Sequence, residues 1–388
     1  MKILTVLGTR PEAIKMAVLV EKLKTDPFFT HTLCVTGQHR QMLDQALHLF
    51  GMCPDIDLGI MQPSQDLTDV TCRTLVGMRD VLRDATPDLM LVHGDTSTCF
   101  AASLAAFYAG VPVGHVEAGL RTFNLQTPFP EEANRVFTAR IAKYHFAPTQ
   151  RSVDNLLREG IDLKRIVLTG NTVLDVLVTT AQRTVSFSAN LRGTALEDLV
   201  RSGAKILLVT GHRRENFGRK LSNICNSLAT LAGKYPEVQI VFPVHMNPNI
   251  YGPVRARLHN FDNIHLTEIL SYQDFIFLMK YSFLILTDSG GIQEEAPALG
   301  KPVLVMRDIT DRPEAVEAGG VRLVGTNHDT IVRGVSELLE DECLYRQMSE
   351  AKNPFGDGEA SDRIIRFLKA SCAAQEYRFA QDAVAVPE

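Results

Sequence analysis

The sequence lacks three things, and each lack removes a class of function. Basic residues are not in excess: 40 Lys and Arg stand against 45 Asp and Glu, a formal net charge of −5. Without a general basic field the chain is not built to hold nucleic acid, although local cations and helix ends can still bind a nucleotide. Paired cysteines are absent too. Cys34, Cys53, Cys72, Cys99, Cys225, Cys343 and Cys372 are scattered, with no CxxC among them. Such thiols fit a reducing cytosol better than disulfides or a zinc site. The third lack is a long apolar run, since nothing approaches the roughly 20 residues of a membrane span. The apolar start Met1–Leu7 is too short for a signal peptide, and Arg10 and Glu12 follow at once. A soluble, cytoplasmic protein is expected.

What is present is α/β patterning. The chain has 388 residues, 45% of them hydrophobic, which is too much for one ordinary core. Short β-branched runs alternate with helical patterns, the sign of parallel sheets covered on both faces. Strands are expected near 3–7, 32–36, 89–93, 113–116, 144–147 and 165–169 in the first half. The second half repeats the pattern near 206–210, 239–244, 264–266, 283–287, 303–306 and 321–324. The stretch 180–198, where Ser, Thr and Asn interrupt the pattern, is expected to be the linker between domains at 1–179 and 199–358. Residues 376–388 read as a frayed tail.

In open parallel sheets ligands sit outside the carboxyl ends of the strands, so the loops there matter most. After the first strand, Thr9 and Glu12 have capping-box spacing, and Arg10 and Lys15 lie close to the helix start. Two cations at the positive end of a helix dipole suit an anion between them; otherwise they are solvated surface charges. The loop is not G-x-G-x-x-G, so NAD is not indicated. In the second half, Asp288-Ser289-Gly290-Gly291 leaves a strand and opens a helix, an arrangement in which backbone N–H groups can approach a phosphate. Glu294 and Glu295 follow, either favouring the dipole or accepting from a ribose diol. Gly211-His212-Arg213-Arg214-Glu215 repeats the G-x-R-x-E of the first loop, and His212 could pair with a phosphate or move a proton. His245 could be a structural hydrogen-bonder or a ligand contact.

Carboxylates stand at matching places. Asp95 and Glu117 follow two strands of one β–α–β unit, so both are expected at the ligand edge. Asp95 could instead be only the cap of the helix that follows. Glu131, after two prolines, is held at a helix start, where it is either functional or ordinary first-turn charge. His93 and His115 alternate away from that edge and read as core histidines. No histidine–carboxylate spacing makes a convincing metal site.

Gly8-Thr9-Arg10-Pro11-Glu12-Ala13-Ile14-Lys15, His93-Gly94-Asp95-Thr96, His115-Val116-Glu117-Ala118-Gly119, Pro130-Glu131-Glu132, Gly211-His212-Arg213-Arg214-Glu215, Asp288-Ser289-Gly290-Gly291-Ile292-Gln293-Glu294-Glu295 and Arg312-Pro313-Glu314 together resemble the non-hydrolysing UDP-N-acetylglucosamine 2-epimerases of bacteria. The resemblance runs in order from about Met1 to Leu368. It implies the GT-B fold, two Rossmann-like doubly wound parallel-sheet domains facing a central cleft, with a C-terminal helix (about 359–375) packed back on the first. It implies an isomerase that interconverts UDP-N-acetylglucosamine and UDP-N-acetylmannosamine, usually as a homodimer, without a metal or other cofactor, in the supply of cell-surface polysaccharide. By position, Arg10, Lys15, His212, Ser289, Gly290, Gly291 and Arg312 would hold the diphosphate. Glu295 would take the ribose, Phe275 would lie by the uracil, and Asp95, Glu117 and Glu131 would be catalytic, with His212. Gln38 and Gln41 would belong to an allosteric site for a second UDP-N-acetylglucosamine, although Ser64 stands where those members carry an Arg. Gln126-Thr127-Pro128-Phe129 replaces the usual aromatic and Ser-Pro before Pro-Glu-Glu. A hydrolysing epimerase releasing N-acetylmannosamine and UDP, a GT-B glycosyltransferase and a nucleotide-sugar sensor are the alternatives.

Overall fold

The computed structural model describes residues 1–38, 40–189, 191–211, 218–244, 248–310 and 312–384. The chain divides into two compact units, Met1–Val176 with Gly356–Glu388, and Leu177–Phe355. The division falls inside one helix, Thr172–Arg183, earlier than the interrupted stretch 180–198 suggests. Part of that stretch is itself helical, since Ala195–Ser202 forms a helix closed by Gly203 at φ +70.

Strands β1 (Lys2–Leu7), β2 (Thr30–Val35), β3 (Ile56–Asp57), β4 (Leu89–His93), β5 (Val113–Val116), β6 (Tyr144–Ala147) and β7 (Ile166–Leu168) form the first sheet. Its order is β3-β2-β1-β4-β5-β6-β7, and its printed pairings are parallel. In the second unit, β8 (Ile206–Thr210), β9 (Gln239–Pro243), β10 (Ile264–Thr267), β11 (Leu284–Thr287), β12 (Val303–Val305) and β13 (Val321–Leu323) lie in the order β10-β9-β8-β11-β12-β13. Central strands are apolar at almost every position because helices cover both faces; β4 is buried throughout. In each sheet the order reverses beside the first strand, between β1 and β4 and between β8 and β11, which opens a crevice at the strand ends.

The helix Ala360–Val384 returns to the first unit. Its register is set by charge and aromatic contacts: Lys22 Nζ lies 2.6 Å from Asp362, Lys369 Nζ lies 2.6 Å from Asp26, and Phe367 meets Tyr144 and Phe146 edge-on. Helicity continues to Val384, so most of the segment expected to be frayed is regular; the final four residues lie outside the described ones. No helix among the described residues is long and apolar enough to cross a membrane.

The start of this helix shows how the fold handles orphan N–H groups. Asp175 is buried, and its carboxylate accepts from Ala360 N at 3.1 Å and Ser361 N at 2.6 Å. Burial raises the Asp175 pKa, while these bonds oppose the shift. Asp175→Ala strands two buried donors, with an expected loss of about 2–3 kcal/mol in urea unfolding. A loss below about 0.5 kcal/mol would show that water replaces the carboxylate there.

Candidate active site

The crevice beside β1 and β4 is a cavity of about 440 Å³ lined by Thr9, Lys15, Gln38, His93, Asp95, Glu117 and Glu131, with Glu12, Thr96 and Asn134 among its other walls. Every residue lining it belongs to the first unit. It forms because the loops after the two strands approach very closely. A Cβ on Gly8 would come within 2.1 Å of Thr98 Oγ1, so only glycine fits. Glu12 then fastens the two loops together: Oε2 accepts from Gly8 N and Thr9 Oγ1, while Oε1 accepts from Thr96 Oγ1 at 2.9 Å. The expected capping box is therefore half made, since the Thr9 side chain gives the helix no cap and instead donates to Glu12.

Asp95 is not a helix cap. Thr96 takes that position and accepts from Cys99 N, which leaves the Asp95 carboxylate on the cavity wall. Arg135 Nη2 lies 2.5 Å from Asp95 Oδ2, and Asn134 Nδ2 donates to the Asp95 carbonyl. Burial raises the Asp95 pKa, and the Arg135 charge opposes that shift.

Glu117 follows β5 in a left-handed conformation, φ +62, rare for a residue with a side chain. Two residues on, Gly119 has φ +91, and a Cβ there would sit 2.3 Å from Ser152 O. This turn aims Glu117 into the cavity, where Lys15 Nζ donates to Oε2 at 2.5 Å and Asn171 Nδ2 at 2.9 Å. The Lys15 ammonium therefore faces a carboxylate, rather than being only a surface charge.

His93 departs from the expectation that it points away. It lines the cavity, with Nε2 3.7 Å from Glu117 Oε2 and without a hydrogen-bond partner among the described residues. Burial pushes its pKa down to about 3, so it is neutral at working pH. His115 is the core histidine expected, its Nε2 donating to Gly94 O at 2.7 Å. Glu131 opens the helix Glu131–Ile141 and lines the same cavity. Arg10 occupies the first position of the helix Arg10–Thr25 and is half-buried.

Gln38 lines the cavity and accepts from Thr98 Oγ1 at 2.9 Å, whereas Gln41 is exposed on the helix Arg40–Leu49. Ser64 has φ +57.

In the second unit the loop after β11 is tied down by short polar contacts. Thr210 and Thr287 share a 2.6 Å bond, Ser289 N donates to Thr287 Oγ1, and Gln293 Nε2 donates to Ser289 O. Gly290 is buried, and the helix Ile292–Ala298 begins after Gly291. Gly291 has helical angles, and a Cβ there would meet only Glu295 Oε1, at an ordinary 3.6 Å. The local backbone does not require glycine there. Arg312 Nε pairs with Glu294 Oε1 at 2.5 Å, and Phe275 is half-buried on the helix Tyr272–Tyr281. His212, Arg213, Arg214, Glu215 and His245 lie outside the described residues, so the second copy of the G-x-R-x-E repeat has no geometry to report. Among the described residues no cluster of three or more His, Cys, Asp or Glu is arranged to hold a metal.

A model of the UDP-N-acetylglucosamine 2-epimerase family matches residues 21–369. The chain belongs to the UDP-N-acetylglucosamine 2-epimerase family. The Escherichia coli K12 UDP-N-acetylglucosamine 2-epimerase is 56% identical over 371 residues, which cover 95% of this chain and 98% of that one. The crystal structure of the Neisseria meningitidis UDP-GlcNAc 2-epimerase bound to UDP-GlcNAc aligns with a TM-score of 0.81 at 48% identity, covering 95% and 100% of the two chains. The Methanocaldococcus jannaschii enzyme in complex with UDP-GlcNAc and UDP aligns with a TM-score of 0.73 at 33% identity, again covering 95% and 100%. Like these relatives, the chain has the GT-B fold, built here from two parallel-sheet α/β domains.

Arg135, Asn171 and Glu12 are the epimerase-fold residues that sequence reasoning missed as partners of the cavity. Asn171 follows β7 as Asp95 follows β4, and that shared strand-end position was the one available signal. Arg135 gave none, because its partner lies 40 residues away.

Glu12 makes a testable pH effect. Burial pushes its pKa up to about 7 from 4.5, so the folded state holds this proton more tightly than the unfolded one. Its contribution to stability is present below pH 4.5 and falls as pH rises to about 7, by about 3 kcal/mol. The buried His31, His93, His115 and His145 have lowered pKa values and oppose this trend, so the comparison between variants is decisive. Relative to wild type, Glu12→Gln should gain stability steadily from pH 4.5 to 7 in urea unfolding. A pH-independent difference would contradict the buried proton.

Proposed function

We propose that this chain inverts C2 of UDP-N-acetylglucosamine to give UDP-N-acetylmannosamine, reversibly, by eliminating UDP to 2-acetamidoglucal and adding it back. The observation that carries the mechanism is the convergence of Asp95, Glu117 and Glu131 with Lys15 on one cavity. A C2 proton has no neighbouring carbonyl, so a carboxylate alone cannot remove it at neutral pH. As the C1–O bond breaks, its electron pair leaves with the diphosphate and positive charge develops at C1. The C2 proton becomes acidic, a carboxylate takes it, and the C–H electrons form the C1–C2 double bond. Return of UDP to C1 with a proton delivered to the other face of C2 completes the inversion.

Each part of this chemistry has candidate residues. Asp95, Glu117 and Glu131 handle protons, with His212 assisting. Lys15, already against Glu117, also stabilises the departing diphosphate together with Arg10, His212 and Arg312. Ser289, Gly290 and Gly291 supply N–H and hydroxyl donors. That the local backbone tolerates a side chain at position 291 supports a glycine kept for the approach of a phosphate. Glu295 accepts from the ribose and Phe275 packs by the uracil. The site must exclude water, because water at C1 hydrolyses the intermediate.

The enzyme acts in the cytoplasm and pairs as a homodimer, the pairing supported by the exposed Phe107, Tyr108 and Phe137 on neighbouring helices. Gln38 and Gln41 serve a second, activating UDP-N-acetylglucosamine, and Gln38 already reaches the cavity.

Incubation with UDP-N-acetylglucosamine in D₂O, followed by NMR, tests the reaction. Deuterium at C2 of both UDP-sugars is the expected outcome. Accumulation of free N-acetylmannosamine would select hydrolysis, and no turnover without an acceptor would select a transferase or a sensor. Glu117→Gln is expected to bind substrate and lose at least about 100-fold in exchange. Exchange at the wild-type rate in that variant would remove Glu117 from the mechanism.

A further inference from the structure

The helix Glu131–Ile141 carries an acid and a base that the reaction above leaves unused. Glu132 is fully buried, and its Oε1 accepts from Thr122 N at 3.0 Å and Phe123 N at 2.9 Å. Its Oε2 lies 3.3 Å from Arg135 Nη1, one turn further on. Arg135 Nη2 reaches Asp95 Oδ2 at 2.5 Å, and the Arg135 side chain is only 12% exposed. The three groups run in line from the loop after β5 to the cavity wall.

A guanidinium sunk between two carboxylates is costly to desolvate, and an apolar trio of the same volume would serve stability as well. What an apolar trio could not do is govern a carboxylate that faces the cavity. Asn134, on the same helix, holds the Asp95 backbone carbonyl at 2.9 Å, so one helix controls both the backbone and the side chain of Asp95. Resting on the epimerase reading, we propose that Arg135 is a positioning residue, one that keeps Asp95 ionised and leaves Oδ1 as the oxygen that meets the sugar. Glu132 anchors Arg135 and ties the loop carrying Thr122 and Phe123 to the same support.

The charges facing Asp95 come from several elements. Arg135 lies on the helix Glu131–Ile141, Lys15 on the helix Arg10–Thr25 and Glu117 just after β5, while the Cys99 thiol on the helix after Asp95, its pKa raised by burial, is uncharged. Glu12, His93 and Glu131 line the same cavity. Burial favours the protonated Asp95, Glu117 adds to that, and Arg135 is the larger of the two opposing cations. Without Arg135, Asp95 protonates at a higher pH, and the enzyme loses its ionised carboxylate from the acid side.

The test is the pH profile of kcat/KM for C2 exchange in D₂O, measured on the full chain. Arg135→Met is expected to lower kcat about 10–100-fold with KM nearly unchanged, and to move the acid limb up by about one pH unit or more. Arg135→Lys, which keeps the charge, is expected to hold the limb near its wild-type position. Should Arg135→Met not fold, Arg135→Gln keeps a donor for Glu132, removes the charge and is expected to show the same displacement. An unmoved acid limb in the neutral variants, or equal displacement in Arg135→Lys, overturns the role. A wild-type enzyme without C2 exchange would instead sink the epimerase reading, so the two failures are distinct.

Discussion

Glu117 leaves its strand with a left-handed backbone and a carboxylate only 8% exposed, so the Lys15 ammonium at 2.5 Å is the contact on which the rest of the cavity depends. A buried carboxylate without a partner would neutralise or turn outward. With Lys15 in place, and with Asn171 sharing Oε2, the acid stays aimed at the space between the β1 and β4 loops. In the proposed reaction the same cation also stabilises the departing diphosphate. Under that proposal one ion pair links the proton-handling carboxylate to the cation that stabilises the leaving anion.

Around this pair the first domain repeats one device, a polar side chain from a neighbouring helix or loop holding a residue at a strand end. Glu12 bridges the β1 and β4 loops, Arg135 reaches from a helix to Asp95, and Asn171 reaches from beyond β7 to Glu117. The device suits a site that must stay rigid and dry while two bonds rearrange. The same burial raises the Glu12 pKa and keeps His93 neutral, while low dielectric strengthens the contacts that are made.

Much of this was readable in the sequence, for identifiable reasons. The central strands are continuous apolar runs because both faces are covered, so β1, β4, β5, β8 and β11 were visible from composition. Asp95 and Glu117 were visible because acids at equivalent strand ends share one edge of a parallel sheet. The two-residue edge strand β3 was not, being too short to show a period. Nor was the domain division within the helix Thr172–Arg183, where apolar periodicity runs on without a break. His93 was read as pointing inward because alternation along β4 was assumed to continue to its last residue, whereas the chain turns there into Gly94 at φ +66. Arg135 could not be found from spacing, since only the folded sheet brings it to Asp95.

The central claim is that the C1–O bond breaks in every turnover. Positional isotope exchange tests this directly, using UDP-N-acetylglucosamine labelled with ¹⁸O at the oxygen joining C1 to the β-phosphate. The account predicts that label scrambles into the non-bridging β-phosphate oxygens in step with deuterium entry at C2. Deuterium entering C2 while the label stays wholly in the bridge would contradict it.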